Sequence, residues 1–210
     1  MSSQQMLPGF EPGLPANMDE ARSEAIGCTR CRLSEGRARV VWGAGNPSAE
    51  VMLVGIGPSI SDDRTGEPYS GPAGHALDAA LAAVGLTRDD VWLTNMHKCV
   101  AKKDSRSIRQ PTKTELKACR PWLDTELALV KPEVIVVIGS PAARALLGDD
   151  FRLSERRGEW VSGPGGVPTL ATFQPSYYLR IREHDPEAAE QARLVVIDDF
   201  RTAVRRAKGL

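Results

Sequence analysis

The stretch Val134-Ile-Val-Val-Ile-Gly139-Ser-Pro141 decides the predicted fold. A short, wholly apolar run that ends in glycine is typical of a strand buried on both faces of a parallel sheet. Ser140 is a residue type that caps helices, and Pro141 suits the first helical position, so we predict a helix over residues 142–147. A buried strand that leads directly into a helix is the repeating unit of α/β proteins.

The same pattern recurs along the chain on both sides of this stretch. Three more strands are predicted: Val51–Gly55, Val91–Asn95 and Thr169–Phe173. Helices are predicted over residues 73–85, from a capping box at 112–115 through residue 130, and over 185–204. Strands that alternate with helices predict a three-layer α/β/α sandwich around a central, mostly parallel four-stranded sheet.

Composition limits the classes of protein to consider. The chain has 210 residues, of which 41% are hydrophobic and 26% are charged, which suits one domain, placed at residues 19–210. Residues 1–18 are polar and rich in proline and are interpreted as a flexible tail without a secretion signal, so we expect a cytoplasmic protein. The formal net charge is +0, so any contact with nucleic acid must come from a local basic patch.

Four cysteines are present, and their spacing is informative. Cys28 and Cys31 form a C-T-R-C pair, and Cys99 and Cys119 lie far downstream. Four thiolates can enclose Zn²⁺ or a [4Fe–4S] cluster, and the spacing favours a metal site without separating these two. Two disulfides or four buried structural thiols are the alternatives, and disulfides are disfavoured because nothing indicates secretion.

Polar or conformationally permissive residues follow three predicted strands, at the sheet edge where parallel sheets bind ligands. The first exit begins Gly55-Ile-Gly-Pro-Ser59 and continues to a pair of aspartates. Asn95 ends the second strand, where its amide could read the edge of a nucleobase. The segment Gln174–Arg180 is predicted as a turn suited to phosphate contact and insertion into a base stack. Loops that only reverse the chain, a capping asparagine and core tyrosines are the alternatives.

Taken together, the motifs resemble one family. Their order is CxxC, GxGPxxxDDxxGxPYxGPAG, TNxxKC, C-R-P-W-L, a strand ending in glycine, and xPSxxLR. This order is similar to that of the iron–sulfur uracil-DNA glycosylases, from Cys28 to the C-terminal helix. The resemblance implies a monomer that acts on DNA, flips a uracil or related base out of the helix and hydrolyses its N-glycosidic bond. It also implies a [4Fe–4S] cluster held by all four cysteines.

The resemblance implies roles for individual residues. Tyr69 would stack on the flipped base, Asn95 would read its edge, and Gly57 would line the pocket. The second motif, with its wedge region, would contact DNA through Ser176, Tyr178 and Arg180.

Two positions depart from the family pattern where the chemistry takes place. The family usually has Glu where this chain has Ile56, to position the attacking water, and His where it has Gln174, to stabilise the departing base. If the chain is active, Asp63, and less favourably Asp62 or Ser59, would have to place the water. Gln174 would have to stabilise the base through one neutral hydrogen bond.

The loop over residues 101–111 is basic and contains no histidine, so the covalent trapping of DNA seen in one branch of the family is not expected. Basic residues in and beside the loop are predicted to supply the DNA-binding patch: Lys98, Lys102, Lys103, Arg106 and Arg109. The alternative is a solvated loop. The nearby His97 is interpreted as a satisfied polar residue rather than a catalytic one.

Three functions therefore remain open from the sequence. The first is a DNA glycosylase acting on uracil or a related, modified base. The second is a DNA- or base-binding relative with little catalysis, left by loss of the usual acid and base. The third is an iron–sulfur protein that does not act on DNA.

Overall fold

The fold is described from a computed structural model that covers residues 15–210. Its sheet has six strands: β1 Ala44–Gly45, β2 Val51–Gly55, β3 Val91–Asn95, β4 Val134–Ile138, β5 Val161–Ser162 and β6 Pro168–Thr172. Their spatial order is β1-β3-β2-β4-β6-β5. The four central strands run parallel, and the two edge strands pair antiparallel.

The four parallel strands confirm the prediction, whereas the two edge strands were missed. Each edge strand has two residues, too few to show an alternating or a continuous apolar pattern. The sheet is therefore α/β as predicted, with six strands rather than four.

Nine α-helices lie within the described residues: α1 Met18–Ile26, α2 Leu33–Gly36, α3 Ile60–Thr65, α4 Pro72–Ala82, α5 Lys113–Val130, α6 Ser140–Leu147, α7 Leu153–Arg156, α8 Ser176–Ile181 and α9 Pro186–Ala207. The predicted capping box of α5 is confirmed, since Thr112 and Glu115 cap each other's backbone N–H groups. The predicted turn after β6 is wrong in part, because most of it forms α8. That short helix has too few residues for a helical period to be read.

Two hydrophobic cores lie on opposite faces of the sheet. Met52 and Val54 of β2 join a core with Leu123 of α5. The alternate residues of β2 join a second core with Leu77 of α4 and Phe200 of α9. Residues that alternate between two covered faces confirm the three-layer arrangement.

The predicted division into a tail over residues 1–18 and one domain over residues 19–210 stays a prediction. Helix α1 begins at Met18 and is capped by Asn17, so the last two residues of the predicted tail contribute to a helix. Residues 1–14, most of the predicted tail, lie outside the described residues. Among the described helices, none has the length and apolar character needed to cross a membrane.

Candidate active site and cysteine-lined cavity

The residues of the predicted base pocket meet where β2 and β3 end side by side. Gly55 pairs in register with Asn95. A Cβ atom on Gly55 would lie 2.4 Å from Tyr69 Oη and 2.5 Å from Asn95 Oδ1. Both polar atoms therefore occupy the space that a side chain at position 55 would need, and only glycine allows them to approach the backbone so closely.

Asn95 carries an unpaired acceptor in this pocket. The residue is 2% exposed, and within residues 15–210 its Oδ1 atom has no hydrogen-bond partner. A buried amide oxygen without a donor is costly and rare in folded proteins. Such an atom is suited to receive an N–H group from a ligand.

Tyr69 is held in a strained backbone conformation beside this pocket. Its φ angle is 54°, a value uncommon for residues other than glycine. Arg88 fixes the strained peptide, because its Nη2 donates to the Tyr69 carbonyl at 2.7 Å. Burial, with a smaller contribution from the charge of Asp62, raises the pKa of the phenol well above its usual value, so Tyr69 stays neutral.

The ring of His97 explains why residue 57 is a glycine. A Cβ on Gly57 would lie 1.9 Å from His97 Nε2, so any larger residue would displace the imidazole. The Nδ1 atom lies 2.7 Å from the Cys99 carbonyl oxygen, which can only accept, so Nδ1 carries the proton. Burial lowers the pKa of His97 to about 4. The neutral ring therefore connects the first strand exit to the third cysteine.

The two aspartates proposed to place water are both engaged within the protein. Asp62 is the capping-box residue of α3 and also accepts from Ser70, at 2.7 Å from its backbone nitrogen. Asp63 accepts from the Ala38 backbone at 2.8 Å and pairs with Lys102 Nζ at 2.8 Å. Each carboxylate oxygen has at least one partner and both residues are buried, so the geometry favours structural roles.

Ile56 and Gln174 are the two residues that depart from the family pattern, and the structure places them in different surroundings. Ile56 is half-buried and packs against the core beneath α5. Gln174 is half-buried at the end of β6, near Gly139, where an added Cβ would lie 3.7 Å from its Oε1. Gln174 also lines an open cavity of about 720 Å³.

The basic loop forms a hairpin that is fixed on both arms. A bridge joins Lys102 to Ile108, and Lys102 Nζ also donates to the Gly36 carbonyl at 2.8 Å. Arg109 binds Glu115 through two hydrogen bonds of 2.8 and 2.7 Å, which lower the pKa of Glu115 to about 2. Lys102 and Arg109 would have to exchange these partners to contact DNA.

Other cations of the predicted patch are placed differently. Lys103 and Arg106 are exposed at the end of the hairpin, where they are free to meet a phosphate. Lys98 is 1% exposed, so its predicted contact with DNA is wrong. A run of basic residues in sequence does not reveal that one of them points into the core.

Tyr178 is also placed differently from the prediction. It is 7% exposed, and its hydroxyl donates to the Ala76 carbonyl at 3.0 Å, so the predicted DNA contact by Tyr178 is wrong. Tyr177 is the exposed tyrosine of α8. Arg180 is exposed with its guanidinium over the Tyr177 ring, and Ser176 is half-buried at the start of the helix. The first turn of α8 turns one tyrosine inward and its neighbour outward.

The four cysteines line one small cavity. Cys28 and Cys31 lie between α1 and α2, Cys99 follows β3, and Cys119 lies in α5. Three of their sulfur atoms are within hydrogen-bonding distance of N–H groups: Cys28 Sγ and Trp122 Nε1 at 3.2 Å, Cys99 Sγ and Arg37 Nη1 at 3.4 Å, Cys119 Sγ and Lys98 N at 3.2 Å. Such N–H donors stabilise thiolate ligands and tune metal clusters.

The thiols are arranged around this cavity and do not converge on one point. Within residues 15–210, no three cysteine, histidine or acidic side chains are grouped to hold a single metal ion. Burial raises the pKa of Cys119 to about 12 and also raises that of Cys99. A buried thiolate at these positions therefore needs a cationic centre beside it.

A buried ion pair connects this cavity with the pocket at Asn95. Lys98 Nζ donates to Glu126 Oε2 at 2.6 Å and to the Asn95 carbonyl at 2.9 Å. Glu126 is fully buried and also accepts from the Gly43 backbone at 2.9 Å and from the Thr94 hydroxyl at 2.7 Å. The backbone of Lys98 contacts a cysteine while its side chain fixes the residue that ends β3.

Comparisons with known proteins agree with this geometry. Residues 42–199 match the family model described as the uracil DNA glycosylase superfamily. The chain belongs to the uracil DNA glycosylase superfamily. A Type-4 uracil-DNA glycosylase of Thermotoga maritima is 34% identical, over 84% of this chain and 87% of the relative. A Type-4 uracil-DNA glycosylase of Pyrobaculum aerophilum is 36% identical over 73% and 80%, and a Type-5 uracil-DNA glycosylase of Thermus thermophilus is 34% identical over 74% and 78%.

Several important residues of this superfamily member were not found from the sequence. Arg88 fixes Tyr69, and Glu126 neutralises Lys98, yet both act from other elements of the fold. A buried glutamate inside the amphipathic pattern of α5 is the one signal that could have indicated the ion pair. Arg88 begins a short 3₁₀ helix, Arg88–Asp90, between α4 and β3 and gives no such signal.

We expect Lys98→Met to destabilise the protein by about 3–5 kcal/mol, because it leaves the Glu126 carboxylate buried without its partner. The free energy of unfolding, measured by urea titration, would show this. The double variant Lys98→Met with Glu126→Gln should recover part of the loss, since no charge then remains buried. A single variant as stable as the wild type would contradict the assigned ion pair.

Proposed function

We propose that the protein is a DNA glycosylase that binds a flipped uracil between Tyr69 and Asn95 and hydrolyses its N-glycosidic bond. The unpaired Oδ1 of Asn95 carries this proposal. This buried acceptor lies beside Tyr69 and against the backbone of Gly55, so it offers a planar base one hydrogen-bond partner next to an aromatic ring. The relatives named uracil-DNA glycosylases support the choice of base.

The chemistry of the pocket favours uracil over cytosine. Uracil carries a hydrogen on N3, which Asn95 Oδ1 can accept, whereas N3 of cytosine is itself an acceptor. Two acceptors facing each other in a buried site leave both unpaired, which a site of this kind rejects strongly. Oδ1 of Asn95 and its Nδ2 could together read two neighbouring atoms of the base edge.

The side chains proposed to assist bond cleavage in this site are weaker catalysts than the glutamate and histidine usual in the family. The sugar develops oxocarbenium character while the base departs as an anion. Gln174 can donate one neutral hydrogen bond, and losing a better donor costs about 2.7–4 kcal/mol, or about 10²–10³ in rate. Ile56 cannot orient water, and the carboxylates of Asp62 and Asp63 already have partners. The proposal therefore includes a slow reaction, with Asp63 retained as the first candidate for placing water.

We propose that the cysteine-lined cavity holds a [4Fe–4S] cluster and not a single zinc ion. A cluster takes one thiolate at each of four separate iron atoms, so its ligands surround a volume instead of one point. Cys28, Cys31, Cys99 and Cys119 would hold it, and N–H donors already face three of the sulfurs. When bound, the cluster supplies cross-links between α1, α2, the β3 exit and α5. The expectations of a monomer and of a cytoplasmic location stay predictions.

The proposed function is tested with purified holoprotein and oligonucleotides that contain one uracil. Abasic sites, revealed as strand breaks after alkali, are expected from the uracil strand and not from its thymine or cytosine counterparts. A panel of modified pyrimidines in the same sequence tests whether another base is preferred. Binding without abasic sites on any substrate would instead support a DNA-binding relative with little catalysis. The two family departures at Ile56 and Gln174 favour that second candidate.

Restoring the family residues separates a weakened uracil enzyme from one specialised for another base. We expect Gln174→His with Ile56→Glu to raise uracil excision more than tenfold, since each 1.36 kcal/mol of barrier is a factor of ten. Single-turnover rates on uracil and on modified pyrimidines would measure it. A fall in activity on a modified base, without a gain on uracil, would contradict the assignment of uracil.

A further inference from the structure

A large cavity lies at the same edge of the sheet as the proposed base pocket. The cavity of about 720 Å³ opens at the carboxyl ends of β4 and β6 and is lined by Gly139, Phe173 and Gln174. Cavities of this size accommodate small organic ligands. The strand order β3-β2-β4-β6 places Gln174 and this cavity at the same sheet edge as Asn95 and Gly55, so an occupant of the cavity would lie on the side of the sheet where the base is proposed to bind.

An aromatic surface forms one wall of the cavity. The rings of Tyr177 and Phe173 pack with centroids 5.7 Å apart and an interplanar angle of 36°. The Arg180 guanidinium lies 5.9 Å from the Tyr177 ring centroid. The Tyr177 backbone N–H donates to the Gln174 carbonyl at 2.7 Å, which fixes the start of α8. Tyr177 is nevertheless 39% exposed, so part of its ring is open to a further planar group.

The charge of the cavity is suited to phosphate. Arg144, Arg152 and Arg180 line it, together with Asp149 and Asp150. In the part of the chain that the structure describes, Asp149 pairs with Lys113, whereas neither Arg144 nor Arg180 forms an ion pair. Asp150 also forms no ion pair among the described residues, so the charged side chains of the cavity that lack a partner leave a net positive charge, which favours an anion.

We propose that this cavity binds the nucleotide adjacent to the flipped one, with Tyr177 stacked on its base and Arg144 and Arg180 at its phosphates. The inference rests on the proposed action on DNA. A partly exposed aromatic ring beside guanidinium groups without acidic partners is the combination that holds single-stranded nucleic acid without reading its sequence. The site therefore adds affinity for a strand locally unpaired around the target base.

The test removes the same contact from the protein and from the substrate. Tyr177→Ala is expected to weaken binding of a single-stranded uracil oligonucleotide about 5- to 100-fold, the range of one base–aromatic stack. Tyr177→Phe keeps the ring and should bind like the wild type. A tetrahydrofuran spacer in place of the base on either side of the uracil identifies the stacked neighbour. That spacer should weaken binding to the wild type and have little further effect on Tyr177→Ala.

The phosphate contacts are tested through salt dependence. Arg144→Gln and Arg180→Gln are each expected to reduce the slope of log affinity against log salt by about one. Arg205→Gln, an exposed position of α9 outside the cavity, serves as the matched control and should leave the slope unchanged.

Fluorescence anisotropy measures these effects whether or not the base is excised, so failure of the inference and failure of the proposed function are distinguishable. Equal affinities of the wild-type and Tyr177→Ala proteins for the uracil oligonucleotide would overturn the inference. So would a spacer that weakens the binding of both proteins by the same factor. Binding as expected without abasic sites would overturn the proposed excision and leave the nucleotide site in place.

Discussion

Replacement of Asn95 by alanine is expected to lower uracil excision by about 10²–10³, the effect of losing one hydrogen-bonding group in a closed site. The reason is the unpaired Oδ1 atom, which has no role in holding the fold together within the described residues. Removing it costs the folded protein little and costs the bound uracil its N3–H acceptor. Single-turnover excision rates and oligonucleotide affinity, measured separately, test this.

Binding to DNA should change much less than excision in this variant, because phosphate contacts supply most of the affinity. Asn46→Ala is the matched control, since Asn46 lies in the loop before β2, where its side chain accepts only from the Ser48 backbone at 2.8 Å. Equal losses of binding and of excision would show that Asn95 acts by supporting the fold, and would contradict its role as the base-reading residue.

The parallel strands could be predicted because each is a short apolar run covered on both faces, a property visible in the residues themselves. The edge strands could not, because β1 and β5 have two residues each and exist only through pairing with β3 and β6. The motif that contains Asn95 was correctly placed at a strand end, where parallel sheets expose their ligand sites.

Side-chain orientation was the part that the sequence could not provide. Tyr177 and Tyr178 are adjacent and chemically identical, and only the packing of Tyr178 against Ala76 decides which one faces outward. Lys98 stands in a basic segment, yet its partner Glu126 comes from α5, 28 residues further along. Contacts of that separation depend on the tertiary fold and leave no local pattern.

Replacement of Cys119 by serine is expected to remove the proposed cluster and to cause the largest loss of stability. Purified protein should lose its brown colour, with its broad absorbance at about 400 nm. The proposed cluster would join three separate segments of the chain, and structural metal centres contribute on the order of 10 kcal/mol. At about 2–4 °C per kcal/mol for a chain of this size, the Tm should fall by about 20 °C or more.

The effect should extend to the base pocket, because Lys98 N lies 3.2 Å from Cys119 Sγ while Lys98 Nζ donates to the Asn95 carbonyl. Loss of the sulfur removes the contact that holds the Lys98 peptide. The rate of uracil excision per folded molecule should therefore be lower in Cys119→Ser than in the wild type. Ala118→Ser is the matched control, since Ala118 lines the same cavity and supplies no ligand. A colourless wild-type protein with one bound zinc would overturn the cluster, whereas normal excision by folded, colourless Cys119→Ser would contradict the connection to Asn95.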